Sequence, residues 1–338
     1  MRFDIRYECR FVYDGLVRES QNELRVCPLS DEHQHLVNYR VMVPSSRVLS
    51  FTDWWGTRVD AFGVREPHLV LEVVAEATVE TRPRPLLTTD PRSSELAGAA
   101  FRDRYSEYLD RTRHASWGEA VAAAAAQQVA LAGPGVVSQV LALSRFAGSH
   151  LTYERGSTYV GVDVDEVYAS RAGVCQDFAH LAVSLCRAVG IPARYVSGYL
   201  FTEDERIGAE SDHEVVDVQT HAWFEAAVPG FGWLALDPTN GLEVGLRHVA
   251  IGRGRDYDDV APLRGAYAGS AGHELQVAVS MRRTAAMTPS AYTPPPAPVA
   301  PNRYSVLDVP PARPDDGRLQ HQPIDSRKQQ QQQQQQQQ

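Results

Sequence analysis

The stretch Arg171-Ala-Gly-Val-Cys-Gln-Asp-Phe-Ala-His180, with the residues that follow it, decides how this chain folds. Four apolar residues follow at helical spacing: Phe178, Leu181, Leu185 and Val189. This spacing predicts a helix from 178 to 189. Gly190 and Pro192 end the helix, since glycine just past a helix end and proline beyond it are typical stop signals. Cys175 therefore lies at or next to a helix N-terminus.

Cys175 has the setting of a nucleophile. The unpaired backbone N–H groups and the positive end of the dipole at a helix N-terminus favour a thiolate over a thiol. A nucleophilic cysteine also needs a base within hydrogen-bond reach, and that base needs a group that orients it. A buried structural thiol is the alternative interpretation. A base and an orienting group elsewhere in the chain would favour the nucleophile.

Two strand-like segments downstream supply a base and an orienting group. His221 lies in the β-prone run Thr220-His-Ala-Trp-Phe-Glu225, and Asp237 ends the next apolar run. The Pro229-Gly230 turn between them predicts a hairpin that brings the two side chains together, with His221 facing the helix that begins at Cys175. A cysteine, a histidine and an aspartate in this order form the papain-like arrangement.

Three other histidines are rival bases, because the sequence gives no distances: His180, His213 and His248. His180 lies five residues past Cys175 on the predicted helix and so faces elsewhere. A core or hydrogen-bonding role is favoured for it.

Two kinds of side chain are candidates for contact with the substrate. The amide of Gln176 could join a backbone N–H in stabilising an oxyanion, where each donor contributes roughly 2.7–4 kcal/mol. It would do so only if the side chain turns back over the thiol. Trp223 and Trp233 are predicted to wall the groove for the acyl group, with simple core packing as the alternative.

Four segments of the chain stand in a fixed order: Gly173-Val-Cys-Gln-Asp-Phe-Ala-His180, Gly190-Ile-Pro-Ala-Arg-Tyr-Val-Ser-Gly-Tyr199, His221-Ala-Trp-Phe-Glu225 and Asp237-Pro-Thr-Asn240. They resemble the core motifs of bacterial transglutaminase-like proteins, a family of the transglutaminase/papain superfamily. The resemblance extends over residues 1–282. It implies that Cys175 is the nucleophile, His221 the general base and acid, and Asp237 the orienting group.

The implied chemistry has two halves. The Cys175 thiolate attacks an amide carbonyl, His221 protonates the leaving ammonia or amine, and a thioester forms. An amine or a water molecule, deprotonated by His221, then releases the acyl group. An amine gives transamidation, whereas water gives deamidation or peptide hydrolysis. A cysteine peptidase of small peptides or isopeptides and a non-catalytic binding scaffold are the alternatives.

Hydrophobic patterning divides the chain into three parts. Residues 1–85 contain alternating runs separated by turns, which predict an all-β, sandwich-like domain. Residues 86–283 combine helical patterns at Ser94–Phe146 with the site segments and end in a strand at His273–Met281. Residues 284–338, rich in proline and closed by ten glutamines, are predicted to be disordered because they cannot bury enough apolar surface. The predicted fold class is α+β: a papain-like transglutaminase core, with the cysteine-bearing helix packed on an antiparallel sheet, preceded by the all-β domain.

Composition restricts the class of function. The net charge of −9 argues against general nucleic-acid or membrane-surface binding, which requires a basic patch. No run reaches the roughly 18 apolar residues that span a bilayer, and Met1–Glu8 alternate as a strand does rather than as a signal peptide. These features predict a cytoplasmic protein with a protein or peptide substrate and with neither nucleic-acid nor membrane partners.

The sequence also predicts no metal and no cofactor. The four cysteines lack paired ligand spacing and are too few for a disulfide framework: Cys9, Cys27, Cys175 and Cys186. The acidic run Asp163-Val-Asp-Glu-Val167 lacks the glycine and the spaced ligands of a calcium loop. A helix start or a solvated turn is favoured there.

Overall fold

A computed structural model of the chain describes residues 1–44, 46–159, 161–202, 215–269, 272–284 and 321–323. The N-terminal region consists of six strands: β1 (Arg2–Val17), β2 (Glu19–Leu24), β3 (Gln34–Met42), β4 (Val48–Thr52), β5 (Arg58–Val64) and β6 (His68–Thr81). In β1 the buried and less buried residues alternate, as the sequence pattern predicted. The all-β character predicted for this region is confirmed.

A helical layer follows the first six strands. Its helices are α1 (Ala99–Arg104), α2 (Glu119–Ala132), α3 (Val136–His150), α4 (Val164–Ser170) and α5 (Cys175–Ala188). Two short parallel strands, β7 (Thr152–Tyr153) and β8 (Ala172–Gly173), lead into α5. The carboxylate of Asp163 caps α4 by accepting from the Asp165 N–H, so the predicted helix start is confirmed. None of the helices in the described ranges is long and apolar enough to cross a membrane.

A second group of strands follows α5, and most of them form the sheet on which α5 packs. It comprises β9 (Ala193–Leu200), β10 (Val215–Val218), β11 (Thr220–Val228), β12 (Gly232–Asp237), β13 (Leu242–Glu243) and β14 (His248–Gly254), with the short α6 (Tyr257–Val260) after it. All but β10 form one antiparallel sheet in the order β13-β12-β11-β9-β14. Leu181 and Leu185 of α5 share one buried cluster with Phe224 of β11. The predicted α+β core, with the cysteine-bearing helix on an antiparallel sheet, is confirmed.

The last strands of the chain return to the N-terminal region. They are β15 (Leu263–Ala268), β16 (His273–Thr284) and β17 (His321–Pro323). β16 lies beside β1 over twelve residue pairs, from Arg2 opposite Thr284 to Tyr13 opposite His273, and β15 pairs with β2. The predicted domain boundary after residue 85 stays a prediction. Strands from both sides of this boundary pair with each other, since β1 and β2 pair with β16 and β15. Such pairing is possible because a strand can pair with any segment whose apolar residues match its buried face.

The tail contributes one short element among the residues that the structure describes. β17 extends the sheet by pairing with Ala266–Ala268 of β15, which the sequence had not predicted. The other residues of the predicted disordered tail, 285–320 and 324–338, lie outside the described residues.

One hydrophobic core joins the N-terminal region to the sheet beneath α5. Tyr199 of β9 and Val249 of β14 belong to the same buried cluster as Phe3 of β1. The Tyr199 hydroxyl donates to the carbonyl of Val26 over 3.1 Å, and the rings of Phe3 and Phe201 lie 5.1 Å apart. The N-terminal strands therefore support the strands that carry the candidate site.

A buried arginine fastens the end of α5. Arg187 is 3% exposed, and its guanidinium donates only to backbone carbonyls in the hydrogen bonds seen here. These carbonyls belong to Ala193 at 2.8 and 3.0 Å, Asp110 at 2.9 Å and Arg255 at 2.6 Å. Burial lowers the pKa of Arg187 to about 10, while the charge of Asp256 opposes the shift. The side chain is therefore still a cation at neutral pH.

Replacing this arginine tests its contribution to the fold. We expect Arg187→Met to lower the free energy of unfolding by about 3 kcal/mol, because three buried carbonyls lose their donors. Urea denaturation measures this value. The matched control is Arg10→Met, which removes a half-exposed ion pair with Glu72 and should change stability by less than about 0.5 kcal/mol. Equal losses in the two variants would contradict the assignment.

Candidate active site

Cys175 is the first residue of α5, and buried hydrogen bonds hold the start of this helix in place. The Asp177 carboxylate accepts from the Val174 N–H over 2.8 Å and from the Thr158 hydroxyl over 2.5 Å. Burial raises the pKa of Asp177 to about 6, although these two hydrogen bonds oppose the shift. A Cβ at Gly173 would lie 2.7 Å from the Cβ of Asp177, so this position requires glycine. Cys175 itself is partly exposed.

His221 and Asp237 meet across the β11–β12 hairpin. The Nε2 atom of His221 lies 2.7 Å from Oδ2 of Asp237. The other carboxylate oxygen, Oδ1, accepts from the backbone N–H groups of Thr239 at 3.0 Å and Asn240 at 3.2 Å. Because Asp237 has no exposed surface, these donors stabilise its charge in place of water.

The histidine also contacts Cys175, and the three side chains set the charge state of the site. Burial lowers the pKa of His221, but hydrogen bonds to Asp237 and Cys175 and the negative charges beside it raise the value to about 10. Burial raises the pKa of Asp237, but its hydrogen-bond donors hold the value well below the usual range. An imidazolium that contacts a carboxylate and a sulfur atom can deliver a proton to a leaving group.

The structure thus brings together the three residues that the sequence singled out, and it separates other candidates from them. His180 is fully enclosed, and its Nε2 accepts from the Tyr257 N–H over 3.2 Å. Burial lowers the pKa of His180 to about 3, and the nearby His114 adds to this shift. The core role predicted for His180 agrees with these contacts. His213 lies outside the described residues.

Both predicted tryptophans lie in packed surroundings, and their role as walls of the acyl groove stays a prediction. Trp223 is fully buried among core residues of the sheet, with its ring centroid 6.2 Å from that of His221. Trp233 packs against Arg194, whose guanidinium carbon lies 3.8 Å from its ring centroid. Strand alternation places both rings on the sheet face opposite to Phe224 and Leu234, the residues that share a cluster with α5. Gln176 is buried at the second position of α5, and its role as a second oxyanion donor stays a prediction.

Two further polar residues reach Asp237: Asn240, to which the sequence assigned no role, and His248, which it offered as a rival base. The Asn240 side-chain amide donates to Oδ2 over 2.7 Å, and Nε2 of His248 lies 3.2 Å from the same oxygen. Asn240 ends the Asp237-Pro-Thr-Asn240 segment, so its position in this motif could have indicated that it belongs to the site. His248 carries no local signal, because β14 reaches the site only through its pairing with β9.

Within the described ranges, one group of side chains has the spacing of a metal site. The ligand atoms of His221, Asp237 and His248 all lie within 4.8 Å of one another. Both histidines already hydrogen-bond to Asp237, so an ion would have to replace those bonds. The prediction that the chemistry needs no metal stays a prediction.

A cavity of about 550 Å³ adjoins the site on the side of α3. Its lining includes Leu141 of α3, Leu236 of β12 and Asn240, the residue that donates to Asp237. α3 approaches this loop closely, since a Cβ at Gly148 would lie 2.5 Å from the Pro238 carbonyl oxygen. The cavity lining therefore combines apolar residues with charged ones, Arg145 and Glu243, and Asn240 links it to the site.

Two family models match this chain. Residues 3–80 match the bacterial transglutaminase-like N-terminal region, and residues 123–238 match the transglutaminase-like superfamily. An uncharacterized protein of Mycobacterium leprae is 36% identical over 286 residues, which cover 84% of this chain and 99% of the relative. A protein-glutamine gamma-glutamyltransferase of Pseudomonas aeruginosa is 32% identical over 132 residues, covering 36% of this chain and 19% of that protein.

A solved structure resembles the chain over most of its length. It belongs to a candidate cysteine protease of Cytophaga hutchinsonii, with a TM-score of 0.62 and 25% identity, covering 87% of this chain and 94% of the other. The resemblance includes both the N-terminal region and the sheet beneath α5. The chain belongs to the transglutaminase-like superfamily and carries the N-terminal region of its bacterial members.

Proposed function

We propose that this protein is a cysteine-dependent enzyme that acts on amide or peptide bonds through a thioester intermediate. The observation that carries the proposal is the contact of Cys175, at the start of a helix, with a histidine that hydrogen-bonds to the buried Asp237. Nucleophile, base and orienting group stand in the mutual order that covalent acyl transfer requires. The substrate would be a protein or a peptide.

In the first half of the reaction, the sulfur of Cys175 bonds to the amide carbon and the negative charge moves to the carbonyl oxygen. The backbone N–H of Cys175, at the start of a helix, is suited to stabilise this oxyanion, because first-turn N–H groups lack intrahelical acceptors. His221 then gives its proton to the leaving nitrogen, the carbon–nitrogen bond breaks, and the thioester remains.

In the second half, the neutral His221 removes a proton from the incoming nucleophile. An amine forms a new amide, whereas water gives a carboxylate, and either step releases the thiolate and restores the imidazolium with which the cycle began. Asp237 stabilises the imidazolium in both halves and keeps Nε2 directed away from the sulfur. The cavity that Asn240 lines offers room for parts of the substrate beyond the reacting amide.

Peptide hydrolysis is the second candidate. The likeness to the Cytophaga protein extends over 87% of the chain, whereas the gamma-glutamyltransferase matches only 36% of it. The Cytophaga protein is described as a candidate cysteine protease, which is the reason for considering water as the acceptor. Both candidates share the thioester and differ only in the molecule that releases it.

A peptide library incubated with the protein and a primary amine tests the proposal and separates the candidates by mass spectrometry. An amine adduct identifies transamidation, a shift of about one dalton identifies deamidation, and cleaved peptides identify hydrolysis. We expect Cys175→Ala to abolish every product, because the thioester cannot form.

The matched control for this experiment is Cys186→Ala on the same helix. Cys186 is fully buried, and burial raises its pKa to about 12, so it cannot act as a nucleophile at neutral pH. We expect this variant to lose some stability but to keep its products. Products that persist in Cys175→Ala, or that vanish in Cys186→Ala with the fold intact, would contradict the proposal.

The charge state of His221 yields a second prediction that needs no substrate. In wild-type protein the imidazole of His221 should lose its proton near pH 10, well above the usual value of about 6.5. Asp237→Ala should move this titration to lower pH by more than about one unit, because it removes a hydrogen bond and a negative charge that favour the imidazolium. NMR of carbon-13-labelled histidine, assigned with His221→Gln, measures both midpoints.

The same spectra contain an internal control. His180 should stay neutral from pH 5 to pH 10, since burial lowers its pKa to about 3. A wild-type midpoint for His221 near 6.5, or no shift in Asp237→Ala, would show that the carboxylate does not govern the imidazole.

A further inference from the structure

His248 stands beside the proposed triad without belonging to it. It is the first residue of β14, and it is 6% exposed. β14 and β11 flank β9, so the rings of His248 and His221 come within 6.2 Å of each other between centroids. The ring of His248 meets Trp223 edge to face, at 5.3 Å and 79°. This histidine is therefore held by both packing and hydrogen bonding.

The hydrogen bonds of His248 assign the position of its proton. The Gly245 N–H donates to Nδ1 over 3.3 Å, so Nδ1 is an acceptor. In a neutral imidazole the hydrogen then resides on Nε2, which lies 3.2 Å from Oδ2 of Asp237. Burial lowers the pKa of His248, although the hydrogen bond to Asp237 opposes the shift. His248 is thus a neutral donor aimed at the carboxylate.

This donor has a distinct place among those that surround Asp237. Oδ1 is held by the N–H groups of Thr239 and Asn240, and Oδ2 receives the Asn240 amide. All of these come from the loop that directly follows β12. His221 and His248 are the donors described that hold Oδ2 from other strands, and His248 does so from β14 at the far edge of the sheet. Without it, only the loop after β12 and His221 itself would hold the carboxylate in its orientation.

We propose that His248 is a positioning residue, which keeps the Asp237 carboxylate aligned with His221 so that this histidine stays directed at Cys175. The inference rests on the proposed function. His248 itself does not touch the reacting atoms. It acts by donating from Nε2, and its contact with Trp223 serves only to place the ring.

Two substitutions separate the donor from the ring. His248→Phe keeps an aromatic ring against Trp223 but removes the hydrogen bond. His248→Gln removes the ring but keeps an amide N–H at a similar distance from the backbone. If the donor matters, the glutamine variant retains function and the phenylalanine variant loses it. If only packing matters, the order is reversed.

The first readout is steady-state turnover of a peptide that the library experiment identifies. We expect His248→Phe to lower kcat by about 10- to 100-fold with KM within about threefold, as for the loss of a hydrogen bond to a charged group. His248→Gln should stay within about threefold of wild type. Thermal unfolding of each variant shows whether it is folded.

The second readout is the rate at which iodoacetamide alkylates Cys175 at pH 7, which needs no substrate. Cys9, Cys27 and Cys186 are buried, so labelling of the native protein reports on Cys175. We expect slower alkylation in His248→Phe and in Asp237→Ala, and a wild-type rate in His248→Gln. Because alkylation requires only the cysteine and its histidine, this readout tests the inference even if no peptide is turned over.

Three results would overturn the inference. They are unchanged rates in both variants, a faster reaction in His248→Phe than in His248→Gln, and equal losses in two folded variants. Absence of turnover in wild-type protein, with the expected alkylation rates, would count against the proposed function alone.

Discussion

The carboxylate of Asp237 has no exposed surface, so donors of the protein itself must stabilise its charge. Two backbone N–H groups hold one oxygen, and Asn240 and two histidines hold the other. These donors come from β11, from β14 and from the loop after β12. Because an ionised carboxylate is costly in the interior without such partners, the site requires all three elements to be in place. The chemistry and the assembly of the sheet therefore depend on the same hydrogen bonds.

The nucleophile is positioned from the other side, by a helix that is fastened at both ends. At its start, Asp177 binds the backbone of Val174 and the hydroxyl of Thr158. At its end, Arg187 binds three carbonyls from separate segments. Between these ends the helix is almost completely buried against the sheet. A shift of the helix along its axis would break these hydrogen bonds, which therefore favour the observed position of Cys175 beside His221.

The N-terminal strands also pack against the strands that carry the site. β9 and β14 contribute Tyr199 and Val249 to the cluster that fills the all-β region, and β14 also carries His248. The chain then returns to the same region, where β16 lies along β1. The support of the site thus comes from residues that are far from it in sequence. A core shared in this way transmits packing changes, since protein interiors are close-packed.

Local patterns in the sequence were sufficient to predict the helix after Cys175, the alternating strand β1 and the hairpin that joins His221 to Asp237. Each of these depends on apolar spacing and turn residues within a short segment. The sequence did not reveal that His248 reaches the carboxylate, that Trp223 is buried or that β16 pairs with β1. These features depend on which strands become neighbours across β9 and β1. No local pattern encodes that choice, because it is made when side chains from distant segments pack into one core.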